Sequence, residues 1–532
     1  MTMKNMLSGL LLMGVAAALP TSANSVPFGH PIDAKRSGFV SVRSAKASCT
    51  AVAVGRDLLL APASCIDASE AQHPELLGWF MDAQDSTENP VREVTLDPSR
   101  RFALLRLAGP LDLAVPPRRL FRAPLVLPKT VTCTGYGPQN PREVFPYDGT
   151  LSQREDYVIS GRSFNRLFID SPNPLTVRDL GAVCMDSSTQ QIVAMLVGNG
   201  ANILGVPLGY DVYGFEGVRA WVEEYQTKFE FVAEHSGLCL GNIPSSTLVW
   251  QMACNRADSF ERINQRWMIR RIGDAGVVQI RPSRFPDLCL GVTGGAVNDG
   301  AEVRFSTCLP ALGSPYPGSL PRTPRPEQVW AATHVGGDAI QLRNILTGKC
   351  LDVTGVERRP LARLQQWTCI DGQPNQRFMV NVDSFSAGTH QLARFYDFTK
   401  ALGVRFGNLT NGELIISSTR NGLADQEYTM AQSADRAYQS IRTLANGSCI
   451  DVPAESTGNA GLQQWTCWGG ANQQFMFRWL PQQIGYRIHP RHTPSRCLYV
   501  GAGAPAGSQL TSTPCVDVTA GQLLDTQRWL VE

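Results

Sequence analysis

Apolar and polar positions alternate over short stretches along the whole chain, and turn residues bound most of these stretches. In the N-terminal part, Phe39-Val40-Ser41-Val42, Thr50-Ala51-Val52-Ala53-Val54, Leu58-Leu59-Leu60-Ala61, Ala103-Leu104-Leu105-Arg106-Leu107 and Ile192-Val193-Ala194-Met195-Leu196-Val197 read as strands. Between Gly214 and Tyr225 the period changes, and Trp221 and acidic residues fall at helical spacing. Many strands ending in one helix predict a double β-barrel over residues 38–225.

From about residue 228 the pattern repeats with a period near 50, a length that marks a repeated supersecondary unit. The register is Cys-Leu-Asp-Val, then Gln-x-Trp-x-Cys, then Asn-Gln-x-aromatic. The third copy has Cys350-Leu351-Asp352-Val353, Gln365-Gln366-Trp367-Thr368-Cys369 and Asn375-Gln376-Arg377-Phe378. The fifth has Cys449-Ile450-Asp451-Val452, Gln463-Gln464-Trp465-Thr466-Cys467 and Asn472-Gln473-Gln474-Phe475. Four copies are weaker: Cys239-Leu240-Gly241 with Asn264-Gln265-Arg266-Trp267, Cys289-Leu290-Gly291 with Gln328-Val329-Trp330, Ala401-Leu402-Gly403 with Gln426-Glu427-Tyr428, and Cys497-Leu498-Tyr499 with Gln527-Arg528-Trp529. Each unit predicts four strands and cannot bury a core alone. The Pro-rich stretch 311–326 reads as an exposed insert in the second copy.

Composition narrows the function classes. The 532 residues are 43% hydrophobic and 18% charged, which favours folded domains over disorder. Forty-eight basic against 46 acidic residues give a net charge of +2, which argues against a polybasic nucleic-acid or membrane-surface binder. Lys4, the apolar run Leu7–Leu19 and Thr21-Ser22-Ala23 read as a secretory signal over residues 1–23. No later run is long and apolar enough to span a bilayer, so a secreted protein without a transmembrane span is expected. Fourteen cysteines in an exported chain imply disulfides. Ten form close pairs within the repeats: Cys239/Cys254, Cys289/Cys308, Cys350/Cys369, Cys449/Cys467 and Cys497/Cys515. No Cys-x-x-Cys spacing occurs, and neither a metal site nor a cofactor is expected.

The repeat register resembles the ricin B-type β-trefoil lectins and their Gln-x-Trp repeats. Three repeats close one trefoil, so the resemblance implies two in tandem, 228–394 and 395–532, joined near Arg394. In that family the Gln and aromatic of Gln-x-Trp belong largely to the core. Binding a sugar needs a carboxylate to accept hydroxyl hydrogens, a flat ring for the C–H face, and amides to donate and accept. The family's pattern is complete in two repeats only. It implies one site at Asp352, Gln365, Trp367, Asn375 and Gln376, and another at Asp451, Gln463, Trp465, Asn472 and Gln473. Glycans or glycoproteins are the implied partners, galactose-type sugars by resemblance alone. Gly241, Gly291, Gly403 and Tyr499 replace the aspartate elsewhere, so those repeats read as scaffold.

Residues 24–227 resemble the chymotrypsin-like serine proteases in four ordered segments. Ser48-Cys49-Thr50-Ala51-Val52 with Leu60-Ala61-Pro62-Ala63-Ser64-Cys65 looks like the first disulfide loop. Arg101-Phe102-Ala103-Leu104-Leu105 looks like the Asp-Ile-Ala-Leu-Leu segment. Thr134-Gly135-Tyr136-Gly137 looks like the Gly-Trp-Gly turn, and Arg178-Asp179-Leu180-Gly181-Ala182-Val183 like the nucleophile loop. The resemblance implies the bridge Cys49–Cys65. Cys133 and Cys184 each lie two residues from the family's usual positions, and a shift of two keeps strand side chains on one face, so Cys133–Cys184 is expected as well. Acyl transfer needs a nucleophile, a base and a carboxylate, yet Ser64, Arg101 and Leu180 stand at those posts. His30 and His73 lie away from the motifs. The expected fold is all-β, a chymotrypsin-like double barrel followed by two trefoils. The expected function is secreted glycan binding beside a catalytically inactive protease-like domain with a protein partner of its own. The rival reading is a secreted trypsin-like endopeptidase directed to glycosylated substrates; a cell-binding part of a toxin assembly is compatible with the first.

Overall fold

The computed structural model describes residues 38–532 apart from several short stretches and the longer ones 81–88, 112–127, 171–181 and 309–324. The signal segment, His30, His73, Leu180 and residues 311–324 of the Pro-rich insert therefore lie outside the described residues. What is described is almost entirely strand, with one helix of more than a single turn, Val218–Gln226.

Two closed six-stranded barrels fill the N-terminal part. Phe39–Arg43, Ser48–Gly55, Leu58–Pro62, Gly78–Phe80, Asn89–Leu96 and Phe102–Leu107 form the first. Lys129–Tyr136, Val144–Ile159, Arg162–Asp170, Val183–Asp186, Ile192–Ala201 and Pro207–Gly214 form the second. Around each ring the strands run in the same order: first, second, third, sixth, fifth, fourth. One apolar core serves both, since Val183, Met185, Ile192 and Met195 pack with Phe39, Val52, Leu60 and Leu104. The Tyr136 amide donates to Thr50 Oγ1 at 2.9 Å and the Tyr136 hydroxyl donates to the Phe39 carbonyl at 3.2 Å, which locks the barrels together. The expected bridges are present. Cys49–Cys65 closes the first disulfide loop, and Cys133 lies directly across from Cys184 on antiparallel strands.

The C-terminal half forms two lobes of three repeats. Each repeat ends in an aromatic that is buried to within 1%: Trp267, Trp330 and Phe378 in the first lobe, Tyr428, Phe475 and Trp529 in the second. The Trp267, Trp330 and Trp529 indoles donate to the carbonyls of Leu240, Leu290 and Leu498, at the first cysteine of their own repeats. A buried indole N–H must find an acceptor, so these bonds fix each repeat's last strand against its first. Phe378–Ser384 pairs with Lys228–Ala233 and closes the first lobe; Leu392–Arg394 pairs with Trp529–Val531 and closes the second. Strand pairing thus places the join before Leu392, a few residues ahead of the expected Arg394, because the closing strand of a ring belongs to the lobe it closes.

Five disulfides staple the repeats in the pairs expected from spacing: Cys239–Cys254, Cys289–Cys308, Cys350–Cys369, Cys449–Cys467 and Cys497–Cys515. The second repeat shows how such a staple is placed. Cys289 is buried within strand Leu288–Val292, whereas Cys308 stands half-buried just past the end of Val303–Thr307. The bridge therefore ties the loose end of a hairpin whose strands pair from Leu288 with Thr307 to Val292 with Val303. Cys308 is the last described residue before the stretch 309–324, so the hairpin is closed before the Pro-rich insert begins.

The barrels and the first lobe meet through buried charge. Glu93 of the first barrel accepts from Arg281 at 2.7 Å, and Arg270 lies 3.7 Å away. The Arg270 guanidinium sits 3.3 Å from the centre of the Tyr225 ring on the helix. Along the same helix Glu224 holds Arg271 at 2.7 Å, and Glu223 accepts from Ser386 Oγ at 2.6 Å. Burial alone would raise the Glu93 carboxyl, but Arg281, Arg270 and Arg106 outweigh it and hold the group at about 2. A folded value depressed below the ordinary 4.5 gives stability that is present above that pH and is lost as pH falls toward about 2. Glu93→Gln leaves two buried guanidiniums uncompensated. It should cost about 3–5 kcal/mol in urea unfolding of the whole chain and flatten the acid limb of the stability profile; an unchanged midpoint would contradict this account of the interface.

Candidate functional site

The third and fifth repeats each gather their five expected side chains at one place. Strand Cys350–Val353 pairs with Leu364–Trp367 so that Asp352 faces Gln365. In the fifth repeat Cys449–Asp451 pairs with Gln463–Trp465, and Asp451 faces Gln463. Alternation sends Gln366 and Gln464 into the core and leaves Gln365, Trp367, Gln463 and Trp465 on the outer face. Single turns, Pro374–Gln376 and Ala471–Gln473, then swing two amides back onto each aspartate.

The hydrogen bonds coincide between the two sites. Asp352 Oδ1 accepts from Gln365 Nε2 at 2.9 Å, and its Oδ2 accepts from Asn375 Nδ2 at 2.9 Å and Gln376 Nε2 at 3.1 Å. Asp451 accepts from Gln463, Asn472 and Gln473 at 2.8, 2.9 and 3.0 Å in the same pattern. Each carboxylate is only 3% exposed, so it is held in one orientation. Its Oδ1 keeps a second acceptor position, since an ionised carboxylate oxygen takes about two hydrogen bonds. Burial pushes the Asp352 carboxyl above the ordinary range, and the three amides and His235 pull it back only in part. Trp367 and Trp465 are each 39% exposed and present a flat apolar surface beside the carboxylate. The closing aromatics are core, as expected for Gln-x-Trp, whereas these two rings face outward beside the expected site residues.

The preceding repeat supplies one wall, which the sequence reading did not include. Gly300 and Gly412 adopt left-handed φ of 81° and 87° and donate their N–H groups to the carbonyls of Gln366 and Gln464, both at 2.9 Å. A Cβ at either position would lie within 3.8 Å of the Trp367 or Trp465 ring edge. Asp299 and Asn411, just before these glycines, accept from the amides of Thr368 and Thr466 at 2.8 Å. The available signal was the Asp299-Gly300 and Asn411-Gly412 pair, a turn dipeptide at the same offset before both sites.

The family descriptions match this half of the chain. "Ricin-type beta-trefoil lectin domain" matches residues 227–378 and 277–428, and "Ricin-type beta-trefoil lectin domain-like" matches 424–513. The C-terminal half is built of ricin-type β-trefoil lectin domains. Among solved structures, the designed threefold-symmetric protein ThreeFoil is 25% identical over 29% of this chain and 96% of its own, with a TM-score of 0.23. A mosquitocidal holotoxin is 12% identical over 93% of this chain, at a TM-score of 0.27; the alignment covers 51% of that toxin. The scabies mite inactivated protease paralogue S-I1 is 16% identical over 37% of this chain and 96% of its own, at a TM-score of 0.30. No curated protein matches the sequence.

In the protease-like barrels, Ser64 lies on the turn Ala63–Cys65 and Arg101 immediately before strand Phe102–Leu107. The Ala63 N–H donates to the Arg101 carbonyl at 2.8 Å, so these two posts are neighbours and both are exposed.

Three of the other ricin-type repeats have no room for the aspartate, and the sixth carries Tyr499 there. A Cβ at Gly241 would meet Met252 Sδ at 2.8 Å, and one at Gly403 would meet Ser418 Cβ at 2.9 Å. At Gly291 it would lie 2.9 Å from both Gln328 Cγ and the Glu327 carbonyl oxygen. Cys308 belongs to this second repeat and is half of its structural bridge. Gly291→Asp should therefore destabilise the first lobe by about 1–3 kcal/mol, as overpacking does, and add no binding site. Calorimetry that finds an extra equivalent of sugar bound by this variant would show that the repeat is a site lacking only its carboxylate.

Proposed function

We propose that the protein is a secreted, bivalent glycan-binding protein carrying a serine-protease-shaped domain that has lost catalysis. The observation that carries the binding half is the paired constellation at Asp352 and Asp451. The same five residue types meet in both, with hydrogen bonds that agree to 0.1 Å. A fixed acceptor, amides that both donate and accept, and an exposed indole face suit a sugar ring. Galactose-type sugars are favoured by the family resemblance alone. Seven disulfides and the leader-like N-terminus support export. Ser64, Arg101 and Leu180 at the triad posts support the loss of catalysis, and the barrels then offer a rigid surface for a protein partner.

Each shallow site is weak alone, because hydroxyls give up water on binding. Two sites on one chain make the second contact intramolecular, and avidity of roughly a hundredfold follows on a suitably spaced surface. Asp352→Ala or Asp451→Ala should halve the sugar stoichiometry and sharply reduce retention on a glycoprotein matrix. The double change should abolish both while the fold survives. A double variant retained as tightly as the parent would move the binding sites elsewhere.

The barrels should hydrolyse neither casein nor peptide esters and should take up no fluorophosphonate, since Leu180 offers no oxygen. Stoichiometric labelling within residues 38–225 would restore the endopeptidase reading.

A further inference from the structure

At one register position a histidine stands against each aspartate-bearing repeat and against none of the other four. Each closing aromatic pairs across the sheet with one residue of the following strand: Phe378 with Ala233, and Phe475 with Pro490. Two residues further on stand His235 and His492. The partners of Trp267, Trp330, Tyr428 and Trp529 are Pro282, Asn344, Thr443 and Arg394. Two residues beyond these stand Arg284, Leu346, Ala445 and Tyr396. The chain has seven histidines in all, and two of them, each supplied by a neighbouring repeat, stand behind Asp352 and Asp451.

Both histidines do the same thing. His235 Nε2 lies 2.9 Å from the Glu357 carbonyl oxygen, which Gln251 Nε2 also reaches. His492 Nε2 lies 3.1 Å from the Ser456 carbonyl oxygen. A carbonyl only accepts, so Nε2 carries a hydrogen in both rings. Both Nδ1 atoms are buried and have no protein partner.

The carbonyls they hold close two unusual turns. Thr354–Val356 follows Asp352-Val353 directly, and Pro453–Glu455 follows Asp451-Val452. Val356 sits at φ 55°, Ala454 at 53° and Glu455 at 51°, in the left-handed region that side-chain-bearing residues avoid. A β-branched residue there persists only when its surroundings over-determine it. Each turn also packs against the turn that carries the site's asparagine and glutamine.

We infer that His235 and His492 are positioning residues for the two carbohydrate sites. Each holds, from the next repeat around the ring, the strained turn behind its aspartate, and so fixes the carboxylate against its amides. The inference rests on the proposed carbohydrate binding. The test uses the full chain and the free oligosaccharide that the parent retains best on a glycan array, with calorimetry of single-site variants. In the Asp451→Ala background only the third-repeat site remains, and His235→Ala should weaken it about tenfold, the loss expected for one buried hydrogen bond. In the Asp352→Ala background the same change should leave binding at the fifth repeat untouched. His492→Ala should show the mirror pattern. His235→Gln, which keeps an N–H donor, should restore most of the affinity. His235→Met, which fills the space without a donor, should reproduce the loss with a thermal midpoint close to the parent's. A parent that retains no glycan overturns the carbohydrate reading itself. A parent that binds, with His235→Ala changing neither site or both equally, overturns the positioning role alone.

Discussion

Six buried aromatic side chains, one closing each repeat, need an apolar core around them, and the C-terminal half is arranged around that constraint. A repeat of about 50 residues with one hydrophobic face cannot close a core by itself. Three of them do, with Trp267, Trp330 and Phe378 buried in one lobe and Tyr428, Phe475 and Trp529 in the other. The indole bonds to Leu240, Leu290 and Leu498 tie the ends of three repeats to their own beginnings. Once that frame is set, the strand after the first cysteine goes one of two ways in five of the six repeats, the sixth carrying Tyr499 there. It takes glycine and closes over the core, as at Gly241, Gly291 and Gly403, or it takes aspartate and opens a polar site.

The aspartate option is demanding, because a carboxylate so nearly covered must be satisfied by its neighbours. Three amides from two further elements do this at each site, and a turn in left-handed backbone stands behind them. Such a site cannot drift in by a single substitution. It needs the amide turn, the outer glutamine, the glycine wall of the preceding repeat and room for a side chain at the strand, all together. That explains why two repeats are complete and four are filled.

Much of this was legible in the sequence. The repeat period, the five cysteine pairs and the two full sets of site residues follow from residue types at fixed offsets, and strand pairing depends on such offsets. Even Cys308, in a weak repeat beside a long insert, was paired correctly with Cys289 on spacing alone. The displaced bridge Cys133–Cys184 was readable for the same reason, since a shift of two preserves the face of a strand. Contributions between repeats were not legible. Gly300, Gly412, His235 and His492 each act on a neighbouring repeat of their ring, and no local period reports them. His235 is 122 residues from the carbonyl it holds, and His492 is 36 residues from its own. The burial of Glu93 against Arg270 and Arg281 was hidden likewise, because it belongs to the meeting of two domains rather than to either. Trp367 and Trp465 share the letters of their motif with the buried closing aromatics, and their place in the two full site patterns is what set them apart.

The barrels and the lobes divide shape from chemistry in opposite ways. The barrels keep a shared core and both bridges; the lobes bring the full polar set together in the third and fifth repeats. The central claim is that two sites, and not six or none, bind sugar. Equilibrium dialysis of the intact parent against a labelled free glycan measures this directly. Saturation at two equivalents per chain is the predicted result, and saturation near six, or no uptake of any glycan tried, would contradict it.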